Sequence, residues 1–261
     1  MVGQAFGGVF PALVDIVIVS LNVKEEDVGA VCFAIATVVL LTCFVSLFWV
    51  MRNPFFLHYY GGHHDLNDQE TTQMSMRDFV EVVKISWTYL VSIVANFAIT
   101  LTLFPSVAVL VQSETYASKS DWAVKYFTPV SVFLLFNVGD LIGRGLASWV
   151  KMPGPSKIGQ SLLLFMTLSR LFFVPLFLYC NIVTDHPQSR NVIFQSDADF
   201  IIFMALFAVS NGYIGNICML FGPQKTDDRE KKESIALVLI AGLVLGTGIG
   251  SFLSYPVVSS L

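Results

Sequence analysis

Charge is scarce in this sequence: Lys, Arg, Asp and Glu together make up 13% of its 261 residues, about half the share of an ordinary soluble domain. A chain so poor in charge cannot present a polar surface to water on all sides. The net charge of −4 is spread over loops, so it offers no basic patch for nucleic acid and bounds nothing about the substrate. Cysteine is sparse as well. Cys32, Cys43, Cys180 and Cys218 all fall in apolar stretches, without the paired spacing of a zinc or redox motif, and read as core packing. There is no Gly-x-Ser-x-Gly elbow, no His-Glu-x-x-His and no Walker A loop. These absences point away from an enzyme, from a resident metal or cofactor, and from ATP-driven transport by this chain. No basic stretch precedes the first apolar run, which is also too long for a signal-peptide core, so that run is expected to stay in the product. Asn-x-Ser/Thr acceptors are absent, and glycosylation gives no hint of which loops face outward.

What is abundant is apolar surface. Hydrophobic residues make up 55% of the chain, Phe alone accounts for 23 residues, and the mean hydropathy is +0.70. A spanning helix needs roughly 20 mainly apolar residues. Seven windows of about that length stand between the polar stretches, near 3–22, 28–50, 85–111, 127–150, 158–181, 199–222 and 234–259. A membrane β-barrel would show shorter segments alternating apolar and polar positions, whereas Val28 to Val50 is apolar on every face. The expected fold is therefore an all-α polytopic membrane protein of about seven transmembrane helices.

Basic residues orient it. With the N-terminus in the cytoplasm, nine fall on inner loops (Arg52, Arg77, Lys84, Lys151, Lys157, Lys225, Arg229, Lys231, Lys232) and four on outer ones (Lys24, Lys119, Lys125, Arg190). The excess favours N-terminus inside and C-terminus outside. The longest polar stretch, 51–84, divides two helices (1–50) from five (85–261) and reads as a cytoplasmic linker. Its His63-His64 pair has only Asp65 beside it, too few ligands for a metal tract. Small residues four apart are expected at helix contacts: Gly3 and Gly7, Gly139 and Gly143, and Gly242, Gly246 and Gly250.

Ionisable groups inside spans cost roughly 2.5–3.5 kcal/mol at a helix centre, so each is a functional candidate. There are four: Asp15, Asp140, Arg144 and Arg170. On the fourth window Phe133, Asn137, Asp140 and Arg144 fall at i, i+4, i+7 and i+11, one stripe of a helix that must face protein or water. An acid and an arginine one turn apart, beside an amide and an aromatic ring, offer acceptors and fork donors for hydroxyls and a face for a flat heterocycle. An ion pair that only holds helices together fits the same residues. By helical rise Asp140 lies about 15 Å, and Arg170 about 18 Å, from the inner ends of their helices. Asp140 is thus expected to meet Arg170 across the boundary, leaving Arg144 for ligand. Arg170 and Asp15 read as structural intramembrane charges, Asp15 as a buried neutral acid or the partner of a base elsewhere. Ser210, Asn211 and Gly212 fit either interhelical hydrogen bonds or a pathway lining.

Five segments together resemble the equilibrative nucleoside transporter family: FNVGDLIGRGLASW at 136–149, RLFFVPLFLYCNI at 170–182, SNGYIGNICMLFGPQK at 210–225, the Phe104-Pro105 pair in LTLFPSVAVLV, and GQAFGG at 3–8. The resemblance implies a major-facilitator-like bundle, with the seven windows equivalent to helices five to eleven of eleven and 51–84 to the large cytoplasmic loop. It implies facilitative transport of nucleosides, with nucleobases as a second substrate class, by alternating access across the plasma membrane. It also implies that Asp140 and Arg144 hold the nucleoside, with Asn137 in the same motif and Phe133 and Phe104 near the cavity. Helices equivalent to the first four are missing, so a truncated, non-transporting isoform or a subunit that associates with a partner is the alternative. A seven-helix receptor matches the helix count but requires the opposite orientation.

Overall fold

The computed structural model describes residues 2–21, 25–58, 76–182 and 192–261. Its main helices are α1 (Val2–Ser20), α2 (Glu25–Met51), α3 (Met76–Leu103), α4 (Leu135–Trp149), α5 (Lys157–Ser169), α6 (Phe173–Leu178), α7 (Asp197–Phe221) and α8 (Arg229–Ser259). Among the described residues the only β contacts are isolated bridges, Val111 to Ile182 and Cys180 to Phe194. Six helical stretches there are long and apolar enough to cross a membrane: Asp27–Met51, Met76–Leu110, Trp122–Trp149, Lys157–Leu178, Asp197–Lys225 and Arg229–Ser259. The chain is an all-α, multi-pass integral membrane protein. A further apolar helix, Phe6–Ser20, is described within α1.

The chain divides into two compact units, Met1–Ile16 with Phe79–Leu261, and Val17–Asp78. In the second unit α2 buries no residue of its spanning window, as a helix apolar on every face does when lipid takes the place of a core. The expectation that all four cysteines serve core packing fails here: Cys43 on α2 is exposed and Cys32 half-buried, while Cys180 and Cys218 are buried. The His63-His64 pair and most of the polar stretch around it lie outside the described residues. Residues 76–84, read as linker, are the first turns of α3.

Helix starts in the first unit follow from capping side chains. Ser156 accepts from the Gly159 amide ahead of α5, Ser196 from Ala198 ahead of α7, and Asp228 from Glu230 ahead of α8, each satisfying a donor the helix cannot. Two windows are not uniform α-helix. The fourth opens as π-helix over Trp122–Tyr126 and Thr128–Leu134 before becoming α4; Pro129 has no N–H and its ring crowds the preceding turn, which the wider coil relieves. The fifth breaks into α5, a 3-10 turn at Arg170–Phe172, and α6.

The apolar core is split in two. One cluster holds Leu103, Phe127, Phe136, Phe177, Phe200 and Phe207; the other holds Val82, Ile93, Ala147, Leu163, Ile217 and Leu239. Between them on α3 lies Asn96, on α4 Asp140, at the α5–α6 break Arg170, and on α7 Asn211, all buried. This places a polar layer in the interior of the bundle. Close helix contacts bound it. A Cβ on Gly143 would strike the Val209 carbonyl, and one on Gly139 would come within 2.7 Å of Ala208, as the spacing of small residues suggests. Gly242 and Gly246 of α8 lie equally close to Leu90 and Val94 of α3. Gly3 and Gly7 do not: nothing described lies within 4 Å of a Cβ at either, and Gly8 instead packs against the Asn137 carboxamide. The residue one step along the helix faces the bundle.

Candidate functional site

The polar layer is one connected set of hydrogen bonds. On α4 the Arg144 Nε donates to Asp140 Oδ2 at 2.7 Å. Both side chains are nearly enclosed, 11% and 9% exposed, so this is a desolvated pair in which attraction is far stronger than at a wet surface. The other carboxylate oxygen, Asp140 Oδ1, accepts from Asn211 Nδ2 of α7 at 2.7 Å. Asn211 Oδ1 in turn accepts from Asn96 Nδ2 at 2.9 Å, from Thr100 Oγ1 at 2.8 Å and from Arg170 at 3.3 Å. Arg170 also donates to the Asn96 side-chain oxygen, to Thr100 Oγ1 at 3.0 Å and to the Phe207 carbonyl at 3.1 Å. Its guanidinium carbon sits 4.5 Å from the centre of the Phe207 ring, a cation–π contact in a dry setting.

The expected direct contact between Asp140 and Arg170 is not made. Asn211 stands between them, and Asp140 spends its charge on Arg144 instead, which lies on its own helix one turn away. Around the pair, Asn137 Nδ2 donates to the Phe133 carbonyl at 2.8 Å. Phe104, just past the end of α3, stacks on Phe136 with centroids 3.8 Å apart and meets Phe133 edge-on at 5.9 Å. These residues form an aromatic corner that belongs to the same cluster as Phe207. Asp15 is half-buried on α1.

Sequence reasoning missed Asn96 and Thr100 and left Asn211 undecided. Their signal was present: Ser92, Asn96 and Thr100 recur every four residues along the third window, one face of a helix. Phe136 was missed because a phenylalanine in a phenylalanine-rich span has no distinguishing mark. Among the described residues no group of three or more His, Cys, Asp and Glu side chains converges.

The sequence profile of a family described as nucleoside transporter matches residues 1–74 and 61–259. The chain belongs to the nucleoside transporter family. That family is one of transporters and not of enzymes. Curated relatives agree. Equilibrative nucleoside transporter 1 of Rattus norvegicus is 30% identical over 285 aligned positions, 98% of this chain and 60% of the relative. Equilibrative nucleoside transporter 1 of Homo sapiens is 42% identical over 159 positions, 61% of this chain and 33% of the relative. Equilibrative nucleoside transporter 2 of Mus musculus is 37% identical over 171 positions, 65% of this chain and 36% of the relative. The chain thus spans less than two thirds of the length of the relatives it matches.

Proposed function

We propose that this chain supplies one wall of a nucleoside-binding cleft and takes part in facilitative, alternating-access transport of nucleosides, with nucleobases as a second substrate class. The observation that carries the reading is the Asp140–Arg144 pair, enclosed at 2.7 Å beside an aromatic corner. A nucleoside presents hydroxyls that both donate and accept, and a flat heterocycle. A carboxylate accepts from the hydroxyls, a guanidinium donates to them, and Phe133 and Phe104 offer ring surface to the base. Asn137 belongs to the same stripe. In this reading residues 1–50 contribute two helices of one bundle, 51–84 join the bundles on the cytoplasmic side, and 85–261 form the other bundle. The fold is major-facilitator-like, the N-terminus cytoplasmic, the C-terminus extracellular, and the membrane the plasma membrane.

A second reading has this chain as a non-transporting membrane subunit that associates with a partner. It is favoured by α2, whose spanning window buries nothing. Uridine uptake into vesicles carrying only this chain separates the two. The transport reading expects saturable flux that Asp140→Ala abolishes while insertion survives. Inserted protein without saturable flux leaves the second reading standing.

A further inference from the structure

Asn211 occupies a position with an unusual constraint. An asparagine carboxamide has a donor end and an acceptor end of nearly the same shape, and its orientation is normally decided by its neighbours. Here the neighbours leave no choice. Arg170 has five N–H donors and no acceptor. It donates to the Asn96 side-chain oxygen, which turns the Asn96 amide nitrogen toward Asn211. Asn211 Oδ1 therefore faces the donors of Asn96, Thr100 and Arg170, with Thr100 sharing its one hydroxyl proton with the Asn96 carbonyl, and the Asn211 NH2 end points the other way, at Asp140. The whole relay is polarised by one guanidinium that donates and has no acceptor to offer.

For Asp140 the consequence is two-point fixation. Asn211 holds one carboxylate oxygen and Arg144 the other, each at 2.7 Å. Donors on both oxygens stop the group from rotating about its Cβ–Cγ bond, and the lone pairs left over point in a set direction. The reach from α7 is made possible by Gly212, whose missing Cβ lets its backbone lie against the Asp140 carbonyl. Asn211 is 3% exposed and Arg170 1%, so neither forms a surface for ligand, and both act through Asp140.

We infer that Asn211 is the positioning residue of the nucleoside site: locked by Arg170, Asn96 and Thr100, it aims the Asp140 carboxylate at the sugar hydroxyls. This rests on the reading that Asp140 binds the nucleoside. A hydrogen bond to an ionised group is worth about tenfold or more in an equilibrium, and the loss is selective. It falls on ligands whose hydroxyls meet Asp140 and spares those without them.

The test is Asn211→Leu in the full chain in lipid nanodiscs, with equilibrium binding of uridine and 2′,3′-dideoxyuridine. The substitution keeps the side-chain volume close and removes the donor facing Asp140 without adding a charge or a proton the two side chains could share. Uridine affinity is expected to fall about tenfold or more, with dideoxyuridine changed less than about twofold. Equal losses for both ligands, or no loss for either, overturn the positioning role. Should Asn211→Leu fail to insert, Thr100→Ala removes one of the locking donors and is judged by the same contrast, with a smaller expected loss. If the unsubstituted chain binds no uridine, it is the functional reading that fails, and the positioning role with it; normal wild-type binding with an unselective variant removes the positioning role alone.

Discussion

At Arg170 the cost of burying a cation is met by acceptors and not by a counter-charge. The side chain is 1% exposed, and its two terminal nitrogens donate to Asn96, Thr100, Asn211 and the Phe207 carbonyl, while its Nε is buried without a hydrogen-bond partner among the described residues. Lysine carries the same charge as a compact point and cannot fill a fork of acceptors on two helices. Arg170→Lys is expected to lower stability by about 2 kcal/mol, seen as a lower unfolding midpoint in detergent; an unchanged midpoint would show that the fork is not needed. Asp140→Asn tests the neighbouring charge. It keeps the shape but leaves Arg144 without its carboxylate, and uridine affinity should drop by on the order of a hundredfold. The sequence exposed Asp140, Arg144 and Arg170 because charges in lipid are costly enough to need a reason. It was nearly silent on Asn96, Thr100 and Asn211, because neutral amides and hydroxyls are ordinary in spanning helices. That silence is why Asp140 was expected to meet Arg170: helical rise gives depth along the membrane but not which side chain fills the space between.

At the scale of elements, packing is decided by where two backbones can touch. On α8 a Cβ at Gly246 would come within 2.5 Å of the Val94 carbonyl of α3, whereas nothing described lies within 4 Å of one at Gly248. Gly246→Ala forces two helices apart and is expected to cost about 1–3 kcal/mol. Gly248→Ala on the same helix should be neutral or stabilising by up to about 1 kcal/mol, since alanine is the better helix former. Thermal unfolding of the two variants side by side checks the pair, and equal midpoints would remove the α3–α8 contact as a stabilising feature. Hydropathy located five of the long helices well and could not see their interruptions. The π-helical opening before α4 and the 3-10 turn at Arg170–Phe172 change hydrogen-bond register without changing apolarity. Gly3 and Gly7 have the spacing of a contact, yet nothing described lies within 4 Å of a Cβ at either, because spacing names a face and not which face is covered.

For the whole molecule the distribution of burial is uneven. The spanning windows in Met76–Leu110 and Asp197–Lys225 are 44% and 50% buried, and that in Asp27–Met51 is 0%. Composition alone made the membrane legible. Orientation is the property of the whole chain that remains to be measured, and the lack of any native Asn-x-Ser/Thr acceptor makes it measurable with single substitutions. Tyr116→Asn creates an acceptor with Ala117 and Ser118 in the loop assigned outside, at an exposed side chain. Gln224→Asn creates one with Lys225 and Thr226 in the loop assigned inside. Glycan transfer reaches only acceptors on the lumenal, later extracellular, face. Expressed in microsomes, Tyr116→Asn is expected to gain a glycosidase-sensitive increase in mass and Gln224→Asn to gain none. The excess of Lys and Arg on the Gln224 side, with Lys225, Arg229, Lys231 and Lys232 within one short stretch, is what assigns that loop to the cytoplasm. A glycan on Gln224→Asn alone would invert the assignment, and with it the direction from which the Asp140–Arg144 pair is reached.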